Sequence, residues 1–236
     1  MKNKSNLCVW AVIAGAGKGS RMSMDINKQY IEIDGIPILA RTLIAFEQCE
    51  EIDGIVLVVN VDDIIWCREN IIDRYNITKA AVIVAGGQTR QASVYNGLKS
   101  LDGECDIVLV HDGVRPFINN SMIVESIYSA WSYGACCVAV PVKDTIKQVD
   151  DQEFVVDTPK RDVLWAVQTP QAFKYDVIVE AHRQAIKDGF LGTDDAMLVE
   201  RLEKRIKIIT GSYDNIKITT KDDLILAEAF CLRLNC

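Results

Sequence analysis

Short apolar runs rich in valine and isoleucine alternate along the chain with longer stretches in which apolar side chains return at every third or fourth position. The runs Leu7–Ala14, Gly54–Asn60, Ala80–Ala85, Asp106–His111 and Ala135–Val140 read as buried strands. The stretches Ile38–Gln48, Asp62–Tyr75, Gln88–Leu101 and Ser121–Tyr133 read as helices with one apolar face. Strand and helix taking turns in this way predict an α/β fold, a Rossmann-like, mostly parallel sheet with helices on both faces. Sheets of that kind bind ligands beyond the carboxyl ends of their strands, where the strand order reverses.

After Val140 the rhythm breaks. Residues 141–165 carry Lys143, Asp144, Lys147, Asp150, Asp151, Lys160 and Arg161 around short β-prone pieces such as Glu153–Val156. This predicts a protruding β-arm, a segment that either covers a site or clasps another subunit. Helices resume at Tyr175–Asp188 and Asp194–Glu203, a strand follows at Arg205–Thr210, and a last helix starts at Lys221. There is no internal repeat, so the expectation is one domain over residues 1–236 with the arm as its excursion.

Composition narrows the partners. A formal charge of -7 argues against a nucleic-acid surface, which needs a dense basic face, so any basic site is local. Lys2 and Lys4 ahead of Leu7–Ala14 imitate a signal peptide, but the apolar core is short and basic residues resume at Lys18 and Arg21, which favours a buried first strand. No run reaches the length that spans a bilayer. The eight cysteines, Cys8, Cys49, Cys67, Cys105, Cys136, Cys137, Cys231 and Cys236, lie in apolar segments without metal-ligand spacing and read as reduced thiols of a cytoplasmic protein.

The first strand runs into Gly15-Ala16-Gly17-Lys18-Gly19-Ser20-Arg21-Met22, where glycines let backbone N–H groups approach an anion. The dinucleotide fingerprint fails because position 20 is serine. The Walker loop fails because position 12 is valine and Lys18 is followed by Gly19. What remains is a loop with Lys18 and Arg21, followed by Lys28, in a net-acidic chain. A triphosphate fits it, since transfer at phosphorus needs fixed cations more than a base; the alternative is a solvated loop with incidental charge. The fourth strand ends in His111-Asp112-Gly113-Val114-Arg115-Pro116. Asp112 can hold Mg²⁺, directly or through water, or bind substrate hydroxyls; Arg115 can fork onto a phosphate, or the two can simply pair to cap a loop. His111 reads as packing in the strand. Gly86–Ser93 either presents backbone groups to a base or is a plain helix-start turn.

Taken in order, I-A-G-A-G-K-G-S-R-M, K-Q-Y, A-G-G-x-x-R-x-x-S-V, H-D-G-V-R-P, P-V-K-D-T-I-K, L-W-A-V-Q-T-P-Q-A-F, G-T-D-D-A and G-S-Y-D-N-I-K-I-T-T resemble the 2-C-methyl-D-erythritol 4-phosphate cytidylyltransferase family. The resemblance implies a nucleotidyltransferase fold like that of the A-type glycosyltransferases. It implies transfer of a cytidylyl group from CTP to the polyol phosphate with Mg²⁺, releasing pyrophosphate, in a cytoplasmic homodimer with interlocked arms that binds neither nucleic acid nor membrane. By the same resemblance Arg21, Lys28 and Lys217 stabilise the pentacoordinate phosphorus. Gly15, Ala16, Gly17, Lys18, Gly19, Gly87, Gln88 and Ser93 hold CTP, and Asp112, Arg115, Thr145, Arg161, Thr169 and Thr193 hold the acceptor, with Arg161 reaching in from the partner and Asp112 the candidate metal ligand. Ala14-Gly15-Ala16-Gly17, Gln88 and Val114 depart from the family's usual residues, and the first loop and Val114 lean towards the sister ribitol 5-phosphate cytidylyltransferases. That acceptor stays open as an alternative, as does a non-catalytic nucleotide-binding module.

Overall fold

The computed structural model describes residues 7–17, 27–101 and 105–234. Strands β1 (Val9–Ala14), β4 (Gly54–Val59), β5 (Val82–Ala85), β6 (Ile107–Asp112), β7 (Ala135–Pro141), β10 (Trp165–Lys174) and β11 (Lys207–Thr210) form one sheet in the order β11-β7-β10-β6-β1-β4-β5. Between β1 and β4 lie a small hairpin, β2 (Glu32–Ile33) and β3 (Ile36–Pro37), and helix α1 (Ile38–Glu47). Further along come α2 (Ile64–Cys67), α3 (Arg90–Lys99), α4 (Asn120–Tyr133), α5 (Tyr175–Lys187), α6 (Asp195–Glu200) and α7 (Lys221–Leu234).

The strands are apolar on both faces because both are covered. On β1, Val9, Ala11 and Ile13 pack with Leu39, Leu43 and Phe46 of α1 and Ile123 and Ile127 of α4. Val12, one residue out of phase, packs with Val94 and Leu98 of α3 and with Ile178 of α5. This period-two division of a continuous run is what a doubly covered parallel strand requires. Gly97 sits inside α3 at a cost to helix propensity, and packing explains it: a Cβ there would meet Val12 Cγ1 at 2.7 Å, so glycine brings α3 hard against the sheet. A third, smaller cluster joins Ile33, Ile38, Val114, Phe117, Ile218 and Ala227, fastening α7 over the chain that leaves β6.

The five strands expected from the apolar runs and the strand before α7 are present, each within about two residues of its expected bounds. Two elements differ. Residues 61–75 do not form one regular helix: α2 runs on into a wider, π-type turn over Arg68–Asp73. Strand β10 was not evident in the sequence at all, yet it lies between β6 and β7 and pairs antiparallel with both. Its polar centre, Gln168-Thr169-Pro170-Gln171, and its proline disguise it, since proline demotes a run to an edge strand. The register breaks between Val167 and Gln171, which accommodates Pro170. The sheet is therefore mixed, parallel in its other pairings.

The arm leaves the sheet where Pro141 pairs with Trp165 and carries a two-stranded hairpin, β8 (Gln148–Val149) and β9 (Val155–Asp157). Among the described residues no helix is long and apolar enough to cross a membrane. Burial pushes the Cys49 and Cys67 thiols up to about 11 and those of Cys105, Cys136 and Cys137 up to about 12, which leaves them inert core residues.

Candidate active site

Strand order reverses beside β1: the chain builds β4 and β5 to one side and then returns to lay β6 on the other. The loops leaving β1 and β6 part at that point, and Ala14 pairs in register with both Val58 and Asp112. A cleft of about 810 Å³ opens there. One wall is the glycine loop Gly15–Gly17, and the facing wall is Gly86–Arg90 with Ser93. These walls touch at their base, where a Cβ on Gly86 would come within 2.4 Å of the Ala16 methyl. Ser93 shapes the second wall, its hydroxyl donating to Thr89 O at 2.9 Å and accepting from Gly87 N at 3.0 Å. Lys28, Gln29, Asn60, Asp112, Val114 and Lys217 complete the lining.

Asp112 is the electrostatic centre. Its Oδ1 accepts from Arg90 Nε at 3.2 Å, and its Oδ2 faces Arg115 Nε at 3.4 Å and Lys217 Nζ at 3.0 Å. Burial alone would raise its pKa, but the charges of Arg90, Lys217 and Arg115 outweigh burial and hold the carboxyl well below the usual carboxylate range. Lys217 is placed by the backbone beside it. Ile218 N donates to Val114 O at 2.9 Å, and the buried Ile218 side chain anchors that pairing in the third cluster. Arg115 is turned partly away from the cleft, with Nη1 donating to Asn215 O at 2.8 Å.

Behind Asp112 the hydrogen bonds fix one arrangement of protons. Arg115 O can only accept, so His111 Nε2, 3.2 Å away, carries the proton and His111 Nδ1 accepts from the Thr169 hydroxyl at 3.0 Å. The same Thr169 oxygen accepts from Asp112 N at 3.1 Å. Burial pushes the His111 pKa down to about 4, so the ring is neutral at neutral pH. His111 is thus a packing residue in the strand, and a brace for the carboxylate as well.

Arg90 ties this group to a second buried carboxylate. Its Nη1 lies 2.7 Å from Asp195 Oδ2 at the start of α6. Although burial opposes its charge, Asp195 and Asp112 together push the guanidinium pKa above its ordinary value. Asp195 is fully buried, and there too the ion pair with Arg90 outweighs burial and lowers the pKa. His182 Nε2 stands 3.5 Å from Asp195 Oδ1, an ion-pair distance without hydrogen-bond geometry.

The residues proposed from the sequence divide cleanly. Gly15, Ala16, Gly17, Lys28, Gly87, Gln88, Ser93, Asp112 and Lys217 share the cleft. Lys18, Gly19 and Arg21 lie outside the described residues, as does any helix directly after the glycine loop. Arg115 and Thr169 stand behind Asp112, their polar groups engaged within the protein. Thr145 and Arg161 are exposed on the arm, Arg161 Nη1 donating to Lys143 O, and Thr193 is exposed with its hydroxyl against Met197 Sδ. None of these last three lines the cleft of its own chain. Sequence reasoning gave no role to Arg90, Asp195, Gln29 or Asn60, although Arg90 sits in A-G-G-x-x-R, Asp195 in G-T-D-D-A and Gln29 in K-Q-Y.

Seven described thiols and two histidines offer no metal cluster: among the described residues no three His, Cys, Asp or Glu side chains converge as a metal site. Asp112 is the one carboxylate among the described residues lining the cleft. That fits a hard cation carried chiefly by phosphate oxygens, since Mg²⁺ takes one or two protein carboxylates and keeps its waters.

A doubly covered sheet, a cleft at its switch point, a glycine loop and two lysines lining the cleft with one paired carboxylate define a nucleotide-binding α/β enzyme of the phosphoryl-group-transferring kind. A family model for 2-C-methyl-D-erythritol 4-phosphate cytidylyltransferase matches residues 9–233, and the chain belongs to that family. It is 50% identical over 228 residues to the 2-C-methyl-D-erythritol 4-phosphate cytidylyltransferase of Alkaliphilus oremlandii, covering 97% of this chain and 96% of the relative. It is 47% identical over 222 residues to that of Caldanaerobacter subterraneus, with 94% and 98% covered. The crystal structure of 4-diphosphocytidyl-2C-methyl-D-erythritol synthase from Anaerococcus prevotii superposes with a TM-score of 0.85 at 36% identity, covering 96% of this chain and 97% of that one. The family is one of CTP-dependent nucleotidyltransferases of isoprenoid biosynthesis, which answers in favour of methylerythritol phosphate the choice of acceptor left open by the sequence.

Proposed function

We propose that the cleft transfers the cytidylyl group of CTP to 2-C-methyl-D-erythritol 4-phosphate, giving 4-diphosphocytidyl-2-C-methyl-D-erythritol and pyrophosphate. The observation that carries this reading is the convergence of Lys28 and Lys217 with a paired, buried Asp112 between two glycine loops, in a chain of this family. An oxygen of the acceptor phosphate attacks the α-phosphorus of CTP, the new P–O bond forms, and the bond to pyrophosphate breaks. No general base is required, because a phosphomonoester with a second pKa of about 6 is already mostly dianionic at neutral pH. Lys28 and Lys217 neutralise charge on the phosphorus oxygens, and Arg21 joins them by the family's pattern. Gly15, Ala16, Gly17, Lys18, Gly19, Gly87, Gln88 and Ser93 frame CTP, mainly through backbone groups.

Mg²⁺, held by Asp112 directly or through water, supplies further charge neutralisation on the triphosphate when bound. Asp112 has a second task that needs no metal: it keeps Lys217 in place within the cleft.

The arm supports a dimer in which Thr145 and Arg161 complete the partner's acceptor site beside Asp112, Arg115, Thr169 and Thr193. A lone two-stranded hairpin is marginal in water, and this one bares Phe154 at 68% and Val155 at 58% exposure. Another subunit would cover them. The buried, inert thiols fit a cytoplasmic enzyme.

The direct test is pyrophosphate release from CTP and Mg²⁺ with purified methylerythritol phosphate or ribitol 5-phosphate. Turnover with the first and little with the second is expected. Preference for ribitol phosphate overturns the acceptor, and release with neither overturns the enzyme.

A further inference from the structure

Gln29 stands out among the cleft residues because its side-chain amide is buried and unmatched. The residue is 1% exposed, and both Nε2 and Oε1 lack a hydrogen-bond partner. It lines the cleft beside Lys28 and Asn60. An amide without partners in a protein interior is destabilising, because it has left water and gained nothing in return. Such groups are rare in folded proteins and call for a cause.

The backbone gives Gln29 little means of escape. It sits in a single 3₁₀ turn, Lys28–Tyr30, whose far side is tied down by the Tyr30 hydroxyl donating to Asp63 Oδ2 at 2.9 Å. Asn27 and Asn60 donate to the same Asp63 carboxylate, at 3.3 and 3.2 Å. Beyond the turn, Ile38 N donates to Ile31 O at 2.9 Å. Anchored on both sides, the amide stays in the cleft wall. Packing alone does not account for it, since methionine or leucine would fill the same space without the polar cost.

We propose that Gln29 is a substrate-binding residue, its Nε2 donating to a phosphoryl oxygen once the cleft is filled. The inference rests on the transfer reaction above. A neutral donor next to Lys28 suits an oxygen whose charge the lysines share: it adds direction to the contact without adding charge. Because both amide atoms are covered in the unliganded arrangement, filling the cleft must shift the side chains around the amide slightly while the anchored turn stays in place. The phosphoryl oxygen can belong to CTP or to the acceptor phosphate, and binding experiments separate these sources.

The test uses Gln29→Met and Gln29→Leu in the full-length enzyme. Without ligand, the Tm of each variant is expected to equal or exceed that of the unsubstituted protein, since the orphaned amide is gone. With substrates, kcat/KM is expected to fall at least tenfold. Loss of most of the CTP-induced rise in Tm places the contact on CTP; loss of the rise induced by the acceptor alone places it on the acceptor. A fall in kcat with both rises kept means that the bond forms only in the transition state. A lower ligand-free Tm in both variants overturns the inference, because the amide is then already paired. Unchanged kinetics in both overturn it too, as expected if a resident water satisfies the amide throughout. Failure of the unsubstituted protein to release pyrophosphate is a different result, and it removes the transfer reaction itself.

Discussion

Around Asp112 three cations converge on one buried carboxylate, whereas along the arm apolar side chains lie bare to solvent, Val163 at 73% and Phe154 at 68% exposure. The two regions are built on opposite terms. In the cleft, charges that would be costly to bury are retained and matched within one chain, down to the single proton on His111. In the arm, apolar groups that a lone chain would hide are left uncovered. Interiors tolerate charge only when it is paired, and the ionic group around Asp112 is paired within the one chain. A hairpin with exposed valines and phenylalanine is marginal by itself, which is what supports the proposed dimer.

The sharpest way to break the cleft's side of this contrast is to unmatch it. Arg90→Met leaves Asp195 buried without its cation, while Asp112 keeps Arg115 and Lys217. Removing one partner of a buried pair costs about 3–5 kcal/mol, which urea unfolding will report. Adding Asp195→Asn to the same protein should recover much of that loss. If Arg90→Met is neutral, the pair is solvated and the account of a closed, matched interior is wrong.

Lys217→Ala acts on function more than on folding, since Asp112 retains two cations. The expected fall in kcat is about two to three orders of magnitude, the scale of a lost transition-state donor, and Lys28→Ala should behave alike. An unchanged kcat in steady-state assays removes that lysine from the mechanism.

The neutral His111 gives the cleft a pH signature. Its pKa is depressed to about 4 when folded, against about 6.5 when unfolded, so between those values the unfolded chain binds more protons. Stability from this group is full above pH about 6.5 and is lost as pH falls towards 4, by about 3 kcal/mol at most. Asp112 and Asp195, both depressed, extend the loss to lower pH, below the ordinary carboxylate value. Unfolding free energies at pH 7, 5.5 and 4 should trace this slope, and His111→Gln should flatten its upper part. An equal slope in the variant assigns it elsewhere.

The same contrast explains what the sequence made legible. Periodic apolar runs announce strands and helices because burial on a face has a period, and so the five runs and their helices could be placed. Strand β10 could not, since its central Gln168-Thr169-Pro170-Gln171 is polar. Those residues are buried by tying the site together: Gln171 holds Asp194 and the start of α6, and Thr169 holds Asp112 and His111. Lys28, Asp112 and Lys217 were legible from the family's motifs. Arg90 and Asp195 were in plain view within two of those motifs, but their pairing spans more than a hundred residues and depends on α3 and α6 meeting. Gln29 could not be singled out without knowing that its amide is buried. Arg161 is the reverse case: the resemblance to the family names it, although it lies between two of the quoted motifs, and the single chain leaves it on the arm.

Arg161 therefore carries the last and smallest prediction, and the one that joins the two regions. If it acts as proposed, as a positioning contact made from the partner, it is bound in ground and transition states alike, so Arg161→Ala should raise KM for the acceptor about tenfold with kcat little changed, the lower end for a charge-assisted hydrogen bond. A fall in CTP affinity instead would move the arm to the nucleotide side. Sharing is tested by mixing Arg161→Ala subunits with Lys28→Ala subunits. In a mixed dimer the Arg161→Ala chain keeps its own Lys28 and receives an intact arm, so one competent centre returns and, at acceptor concentrations well below the raised KM, activity rises above that of either variant alone. If no activity returns on mixing, although mixed dimers form, each arm serves its own chain, and the bare apolar hairpin needs another explanation than a partner's active site.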